Sequence, residues 1–337
     1  MLVSVLLPIR NEEKFIKNTL LSIVNQDYNK QYIEVLIADG CSTDNTVKVC
    51  LQFKNQFSRF NVFENKKLYV SYGFNRLLLE SSGDFILRLD GHSEICSNYI
   101  SSCVNYLKSN SNVSCVGGWV KHFSNDFTAK LICNVQCSSL GTGGVAFRNK
   151  PLSIRYVDTL AFGCYRRNVF KTIGAYDYDL VRNQDDEHSL RMNQNNLKLC
   201  LLPYINSTYF VRSSLKKLFF QYFGYGFYKI IVFVKRNTFA SFRHLVPLIF
   251  VISTISILLL SIRFNFNYLF FYFLYLIPVC IYSFYSLLKI KSLTVKSFTL
   301  TFFSFLTLHF AYGIGQLYSI LKLPFMTKKL KSNFPIL

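Results

Sequence analysis

Acidic residues are scarce in this chain of 337 residues. Asp and Glu number 18 against 38 Lys and Arg, so the formal net charge is +20. Such a balance suits nucleic acid, an anionic membrane surface or phosphorylated substrates. The basic residues gather around the apolar C-terminal half, which favours a membrane surface, and we expect no nucleic acid partner. Those preceding that half are Arg212, Lys216, Lys217, Lys229, Lys235, Arg236 and Arg243.

Paired cysteine motifs are missing as well. The ten cysteines are scattered without a Cys-x-x-Cys pair, and Cys115 and Cys200 have apolar sequence neighbours. We therefore expect reduced cysteines and neither a disulfide framework nor a zinc site. No Gly-x-Gly-x-x-Gly motif precedes the second predicted strand, which argues against a dinucleotide-binding Rossmann site. The first residues lack a basic leader, and we interpret them as a strand.

Long hydrophobic runs are missing up to about Leu202, whereas residues 245–321 are dominated by Phe, Leu, Ile and Tyr. This shift predicts a cytosolic α/β domain over residues 1–210, basic aromatic interfacial helices over 211–244 and a membrane region over 245–337. Within the interfacial part, Leu218 to Val234 predicts a helix lying at the membrane surface.

Three segments have the length needed to cross a hydrocarbon core of about 30 Å. They are Leu245 to Ile262, Tyr268 to Leu288 and Phe298 to Leu321. Basic residues between the last two, at Lys289, Lys291 and Lys296, predict a cytosolic loop, so the first two segments form a hairpin. A third crossing would place Lys322, Lys328, Lys329 and Lys331 outside. A re-entrant third segment, broken near Gly313 and Gly315, is the alternative.

The N-terminal part has a βαβα pattern. Val3 to Leu7 and Ile33 to Ala38 predict two strands, each followed by helical spacing of apolar residues. Such a pattern predicts a parallel sheet whose functional edge lies at residues 8–12 and 39–44. An acid at the end of the second strand, Asp39, is placed to accept hydrogen bonds from a ribose or a base. A simple Asp-Gly turn is the alternative.

Phe85 to Glu94 is the stretch around which the domain is organised. An apolar strand ends there in Asp90, Gly91 and His92. Ligands bind beyond the carboxyl ends of parallel strands, so Asp90 and His92 form a candidate metal site. A strand followed by a turn is the structural alternative.

Acids also open a later helix, at Asp185, Asp186 and Glu187. A helix N-terminus stabilises a carboxylate in its ionised form, which suits a general base. Helix capping explains one of these acids equally well, but three exceed what a cap needs.

Taken in order, these motifs resemble the family 2 glycosyltransferases with the GT-A fold. The motifs are Pro8-x-Arg-Asn-Glu12, Asp39-Gly-x-Ser-x-Asp44, Arg88-Leu-Asp90-x-His92, Gly117-Gly118 and Gln184-Asp185-x-Glu-x-x-x-Arg191. The C-terminal half is similar to membrane-bound succinoglycan-type sugar transferases. That likeness lies in residues 221–229, 243–247, 312–315 and 321–324.

The resemblance implies roles residue by residue. Pro8, Arg10, Glu12, Asp39 and Asp90 correspond to positions that bind the nucleotide-sugar. Asp90 matches the first acid of the family's metal-binding Asp-x-Asp element, and His92 replaces the second. A divalent cation, Mn²⁺ or Mg²⁺, is the implied cofactor, and imidazole is a poorer ligand for Mg²⁺ than carboxylate.

Asp185 falls on the catalytic-base position, with Asp186 as the fallback. Gly117, Gly118 and Arg191 are implied acceptor or support residues. One base without a second nucleophile implies single displacement with inversion.

The implied function is sugar transfer from a nucleotide-diphospho-sugar, with a UDP-sugar favoured, to a lipid-linked saccharide in exopolysaccharide or surface glycan synthesis. The enzyme would be a multi-pass protein of the plasma (inner) membrane. The alternatives are a processive polysaccharide synthase, a polyprenyl-phosphate monosaccharide synthase and a membrane scaffold without activity. Retention of Asp39, Asp90 and Asp185 argues against the scaffold.

Overall fold

The structure, a computed structural model, describes residues 1–124, 126–210, 214–238, 242–326 and 333–336. The chain forms two compact units. The first contains Met1–His122, Ala146–Phe210 and the described C-terminal residues 333–336, and the second contains Phe123–Val145 and the described residues from 214 to 326. The predicted boundaries at residues 210 and 244 stay predictions. Arg212, Lys328, Lys329 and Lys331 lie outside the described residues.

A mixed sheet forms the centre of the first unit and has nine strands within the described residues. The strands are β1 (Val3–Ile9), β2 (Ile33–Asp39), β3 (Arg59–Glu64), β4 (Phe85–Arg88), β5 (Ser93–Ile95), β6 (Val113–Phe123), β7 (Arg155–Val157), β8 (Cys164–Arg166) and β9 (Lys198–Phe210). Their order is β3-β2-β1-β4-β8-β6-β9-β5, and β7 pairs with β9. Strands β1 to β4 are parallel, whereas β8 joins β4 antiparallel.

Helices of the first unit cover both faces of this sheet. They are α1 (Ile16–Val24), α2 (Thr46–Leu51), α3 (Val70–Glu80), α4 (Tyr99–Ser109), α7 (Asn168–Ile173) and α8 (Gln184–Gln194). The α-helices of the second unit are α5 (Phe127–Cys137), α6 (Ser139–Thr142), α9 (Leu215–Arg236), α10 (Val246–Arg263), α11 (Phe273–Lys289) and α12 (Val295–Lys322). Every residue of β1 is buried, because alternate side chains enter separate clusters on the two faces. Val5 packs with α1 on one face, and Leu6 packs with α3 on the other.

The strand register gathers the predicted motifs at one edge. Ile9 pairs with Asp39, and Leu6 pairs with Arg88. Since the carboxyl ends of parallel strands meet at the same edge, the residues after β1, β2 and β4 lie together there. The predicted α/β fold followed by helices is confirmed.

The second unit is helical and contains three helices long and apolar enough to cross a membrane, as counted over the described residues. These candidate spans are Phe242–Arg263, Phe266–Lys289 and Val295–Phe325, and each overlaps a predicted segment. Helix α12 continues through Gly313 and Gly315, so the break proposed there as an alternative is not observed.

Glycines allow α9 and α12 to pack closely against each other within this unit. A Cβ atom at Gly226 would collide with the carbonyl oxygen of Tyr312, and one at Gly315 would collide with that of Phe223. The backbones therefore approach closely, as at small-residue interfaces of membrane helices. The segment predicted as an interfacial helix, Leu218 to Val234, thus lies in a helix packed along α12.

Gly315→Ala should lower the melting temperature of the detergent-solubilised protein, because the added methyl group meets a carbonyl oxygen and cannot be accommodated without a helix shift. Overpacking typically costs about 1–3 kcal/mol of folding stability. In a protein of this size, each kcal/mol lowers the melting temperature by about 2–4 °C. Thr299→Ala on the exposed side of the same helix is the matched control. Equal melting temperatures of the two variants in a fluorescence scan would contradict the close helix contact.

Candidate active site

Two loops are joined at the functional edge of the sheet. Asn11 has a φ of 54°, and its side chain accepts a hydrogen bond from the Thr43 backbone N–H at 2.8 Å. The Asn11 N–H in turn donates to Ser42 Oγ at 2.8 Å, and the Glu12 N–H donates to Thr46 Oγ1 at 2.8 Å. The loops that follow β1 and β2 therefore form one hydrogen-bonded surface, which carries Arg10, Glu12 and Asp39.

Asp39 is held in a defined orientation. It is 6% exposed, and its carboxylate accepts hydrogen bonds from the Ser42 N–H at 2.9 Å and the Ser42 hydroxyl at 2.5 Å. A Cβ at the adjacent Gly40 would lie 3.3 Å from Cβ of Arg10, whose side chain is exposed. Pro8 is buried within β1, where its ring contributes packing.

The turn after β4 places His92 beside Glu12. Glu12 Oε1 lies 2.7 Å from His92 Nδ1, although the two residues are 80 positions apart. At Gly91, a Cβ would lie only 2.8 Å from Cγ of Glu12, so a glycine is needed for this approach. The Gly91 carbonyl accepts a hydrogen bond from Thr19 on α1 at 2.9 Å, which anchors the turn. A carboxylate at Nδ1 fixes the orientation of the imidazole ring.

Arg88 connects two of the predicted site acids. Its Nη2 lies 2.6 Å from Asp90 Oδ1, and its Nη1 lies 3.9 Å from Asp185 Oδ2. The guanidinium is almost fully buried and also donates to the Ala161 carbonyl at 3.1 Å. Burial alone would lower the Arg88 pKa, but Asp90 and Asp185 more than offset this effect, and the pKa is raised. The guanidinium is therefore a permanent positive charge between the two carboxylates.

Asp185 lies in the first turn of α8, as expected, but its pKa is raised. Burial is the largest cause, and Asp186 and Asp90 add to it, whereas Arg88 and a 2.9 Å hydrogen bond from the Asp186 N–H lower the pKa. Burial therefore opposes the effect expected of the helix N-terminus, and the assignment of Asp185 as the base stays a prediction. With 35% of the side chain exposed, a reactant can still reach it. A raised pKa makes Asp185 a stronger base.

Two buried polar atoms beside these acids have no hydrogen-bond partner among the described residues. They are Arg88 Nε and Tyr176 Oη. Burial raises the pKa of Tyr176, Arg88 lowers it, and Asp185 and Asp90 raise it further, which places the phenol in the same electrostatic environment. Buried polar atoms without partners are uncommon, and a bound water or ligand is one explanation for them.

The remaining predicted residues lie in structural positions. Gly117 and Gly118 are within β6, and a Cβ at Gly118 would lie 2.5 Å from the Ile205 carbonyl oxygen. The Asp186 side chain is partly buried at the start of α8. Arg191 is buried and forms an ion pair with Glu187 at 2.7 Å. These contacts give the two glycines and Arg191 roles in packing.

Sequence reasoning assigned no role to Arg88, Tyr176 or Tyr209. The Tyr209 ring contacts His92 edge-on with centroids 5.0 Å apart, because β9 pairs with β5 in a register that places Tyr209 opposite Ser93. Arg88 carried a detectable signal, since a charged residue inside an apolar strand needs a partner. Tyr176 and Tyr209 had no such signal, because their proximity depends on long-range pairing.

The sequence matches the model of the family described as Glycosyl transferase family 2 over residues 4–174. A Methanococcus voltae protein is 31% identical over 231 residues, which are 66% of this chain and 71% of that protein. Its name is dolichyl N-acetyl-alpha-D-glucosaminyl phosphate 3-beta-D-2,3-diacetamido-2,3-dideoxy-beta-D-glucuronosyltransferase. Succinoglycan biosynthesis protein ExoA of Rhizobium meliloti is 26% identical over 247 residues, with 72% of this chain and 74% of that protein covered.

Solved structures share the fold. Mannosyltransferase PcManGT from Pyrobaculum calidifontis, in complex with GDP-Man and Mn²⁺, superimposes with a TM-score of 0.62 and 14% identity over 94% of this chain and 87% of that chain. Residues 1–349 of TarS from S. aureus, in complex with UDP-GlcNAc, give a TM-score of 0.52 and 15% identity over 95% and 92%. The GT-A fold is thereby confirmed. By its match to the family model and its relatives, the chain belongs to glycosyltransferase family 2 and is a hexosyltransferase.

Proposed function

We propose that this enzyme transfers a hexose from a nucleotide-diphospho-sugar to a saccharide linked to a polyprenyl diphosphate, with inversion at the anomeric carbon. The name of the Methanococcus voltae relative includes a dolichyl phosphate sugar, and that of the Rhizobium meliloti relative includes succinoglycan biosynthesis. The two solved structures hold UDP-GlcNAc and GDP-Man. These names support a nucleotide-sugar donor and a lipid-linked acceptor, and the preference for a UDP-sugar stays a prediction from the sequence.

The contact of Arg88 with both Asp90 and Asp185 is the observation that carries this proposal. One guanidinium lies 2.6 Å from Asp90, the acid proposed for the donor side, and 3.9 Å from Asp185, the proposed base. A leaving diphosphate and an attacking hydroxyl also need groups on opposite sides of the sugar. This separation of roles between Asp90 and Asp185 supports the proposed single displacement.

Asp185 would accept the proton of the acceptor hydroxyl. Its pKa is raised by burial, so it gains basicity, while Arg88 limits this rise by favouring the ionised form. Arg88 would also stabilise negative charge on the donor side, because its guanidinium is fixed before the donor binds. Arg10, Glu12 and Asp39 would position the nucleotide, since the hydrogen bonds between the two loops fix their backbones.

A divalent cation fits this site only together with the donor. Among the described residues no group of three His, Cys, Asp or Glu side chains is placed to hold a metal ion. Asp90 and His92 would supply two ligands, and diphosphate oxygens would supply others, as is common for cations bound with nucleotides. Glu12 would orient His92 through the 2.7 Å contact. When bound, the cation would neutralise charge on the leaving diphosphate.

The helical unit supports a membrane location. Apolar side chains on α10 and α11 face outward, with Ile249 63%, Leu259 62% and Leu274 75% exposed. Exposed apolar surface of this extent is typical of contact with lipid. We propose that the catalytic unit stays on the cytosolic face of the plasma membrane, where nucleotide-sugars are available. Basic residues near α9 would attract the phosphate groups of a lipid-linked acceptor.

The direct experiment is a panel of nucleotide-sugars with and without a polyprenyl-diphosphate-linked acceptor. Release of nucleoside diphosphate identifies the donor, and NMR of the product identifies the anomeric configuration. Product length separates single transfer from a processive synthase, and a polyprenyl phosphate acceptor tests the monosaccharide synthase. Retention of configuration, or absence of release from every donor, would contradict the proposal.

Asp185→Asn should reduce transfer by about 10²- to 10⁴-fold, because the amide keeps the shape of the side chain but cannot accept the proton. Nucleoside diphosphate binding, measured by calorimetry, should stay near wild type. Asp186→Asn is the matched control on the same helical turn and should retain most activity. If Asp186→Asn loses activity while Asp185→Asn keeps it, the base is Asp186.

The pH profile should report the raised Asp185 pKa. Protonation of the base removes activity, so kcat/KM should fall with decreasing pH at a midpoint above the usual carboxyl value of about 4. Arg88→Gln should move this midpoint to still higher pH, because Arg88 lowers the Asp185 pKa. Arg59→Gln is the control, since Arg59 pairs with Glu34 at 2.8 Å. An unshifted midpoint in Arg88→Gln would show that Asp185 is not the titrating base.

Chelation should abolish transfer, and Mn²⁺ should restore more activity than Mg²⁺, because imidazole replaces one hard oxygen ligand. His92→Asp should reverse this preference. Calorimetry supplies a second readout: nucleoside diphosphate should bind more tightly with Mn²⁺ in wild type than in Asp90→Asn. Full activity in the presence of chelator would exclude the cation from the mechanism.

A further inference from the structure

The C-terminal residues 333–336 belong to the catalytic unit, although the helical unit lies between them and the rest of that unit in the sequence. The Tyr178 N–H donates to the Asn333 carbonyl at 2.8 Å, and the Ala175 N–H donates to the Pro335 carbonyl at 2.9 Å. The Asn333 side chain adds a 3.4 Å contact with Asp179. Two backbone hydrogen bonds therefore fasten this tail to the segment between α7 and α8.

Phe334 lies in a space made by a glycine. Gly174 has a φ of 77°, and a Cβ atom there would collide with the Phe334 ring. The guanidinium carbon of Arg191 lies over the Phe334 ring, 4.2 Å from the ring centroid. Because Arg191 is buried, the cation–π contact is screened little by water.

Arg191 links the tail to the helix that carries the proposed base. It forms two hydrogen bonds with the Glu187 carboxylate, at 2.7 and 2.9 Å, and donates to the carbonyls of Ile173 and Ala175. Both Arg191 and Glu187 are on α8, whose first turn contains Asp185. The position of α8 relative to residues 173–175 therefore depends on Arg191, and Phe334 packs against that side chain.

The segment between α7 and α8 also contacts the candidate active site through Tyr176. Tyr176 lies between Ala175 and Tyr178, which bind the tail, and both of its backbone polar groups bond to the Asn75 side chain, at 2.7 and 2.9 Å. Its ring is buried against Phe74 with centroids 4.2 Å apart. The Tyr176 phenol lies in the electrostatic environment of Arg88 and Asp185.

We propose that Phe334 is a positioning residue, which holds α8 and the segment before it so that Asp185 meets the acceptor hydroxyl. The catalytic part of this inference rests on the proposed function, because it takes Asp185 as the base. The docking of the tail does not depend on that role.

The docked tail also constrains the membrane topology. The chain leaves the catalytic unit after Phe210 and rejoins it at residue 333, so the intervening chain crosses the bilayer an even number of times. Since three candidate spans exist among the described residues, not all three complete a crossing.

Phe334→Ala in the full-length protein tests the positioning role, with Ile336→Ala as the matched control, since Ile336 is 73% exposed in the same tail. We expect Phe334→Ala to lower kcat by about 10- to 100-fold, with the KM for the donor changed less than twofold. Amide hydrogen exchange should accelerate across residues 184–194. Phe334→Tyr, which keeps the ring over Arg191, should restore both kcat and protection.

The measurements test the docking of the tail, the positioning role of Phe334 and the proposed function separately. Equal exchange in Phe334→Ala and Ile336→Ala would overturn the docking, and faster exchange with unchanged kcat would overturn the positioning role. Unchanged nucleoside diphosphate affinity in Phe334→Ala shows that the variant is folded. If the wild-type protein transfers no sugar from any donor, the proposed function fails, and the exchange comparison still decides the docking.

The topology has its own test. An epitope tag after Leu337 should bind antibody only in permeabilised cells, as should a tag before Met1. Antibody binding to the C-terminal tag in intact cells would overturn both the docking and the even number of crossings.

Discussion

The buried guanidinium of Arg88, held between Asp90 and Asp185, is the contact on which the site depends. Moving an arginine out of water is costly, and this cost is offset only where carboxylates lie close to it. The requirement fixes the end of β4 against the start of α8, because Arg88 is the last residue of β4 and Asp185 lies in the first turn of α8. It also sets opposite demands on Asp185: burial raises its pKa, and the neighbouring positive charge limits the rise.

On the donor side of the site, hydrogen bonds likewise fix the orientation of the functional side chains. Asn11, Ser42 and Thr46 join the loops after β1 and β2, so that the orientation of Asp39 is set before any nucleotide binds. Glu12 uses its N–H to stabilise this loop contact and its carboxylate to orient His92. A residue expected to contact the nucleotide is therefore also a support for a candidate metal ligand. Preorganisation of this kind reduces the reorganisation needed during reaction.

The C-terminal half of the chain contributes more than apolar helices. Glycines on α9 and α12 permit close backbone contact within the helical unit, and the tail beyond α12 packs on the catalytic unit. The cation–π contact of Phe334 with Arg191 joins the last residues of the chain to the helix of the proposed base. Since this contact closes a loop of more than one hundred residues, its partners could not be recognised from their local sequence.

The sequence by itself determined the α/β class, the strand that ends at Asp39, the strand that precedes Asp90, the apolar segments and the family, because each depends on local periodicity or on ordered motifs. Only the tertiary structure decided which side chains meet. The Glu12–His92 contact spans 80 positions, and the Arg88–Asp185 and Phe334–Arg191 contacts span still longer separations. The direction of the Asp185 pKa likewise depends on burial, which composition and spacing do not encode. These contacts come from long-range packing, which is set by the strand register and by the packing of residues 333–336 on the catalytic unit.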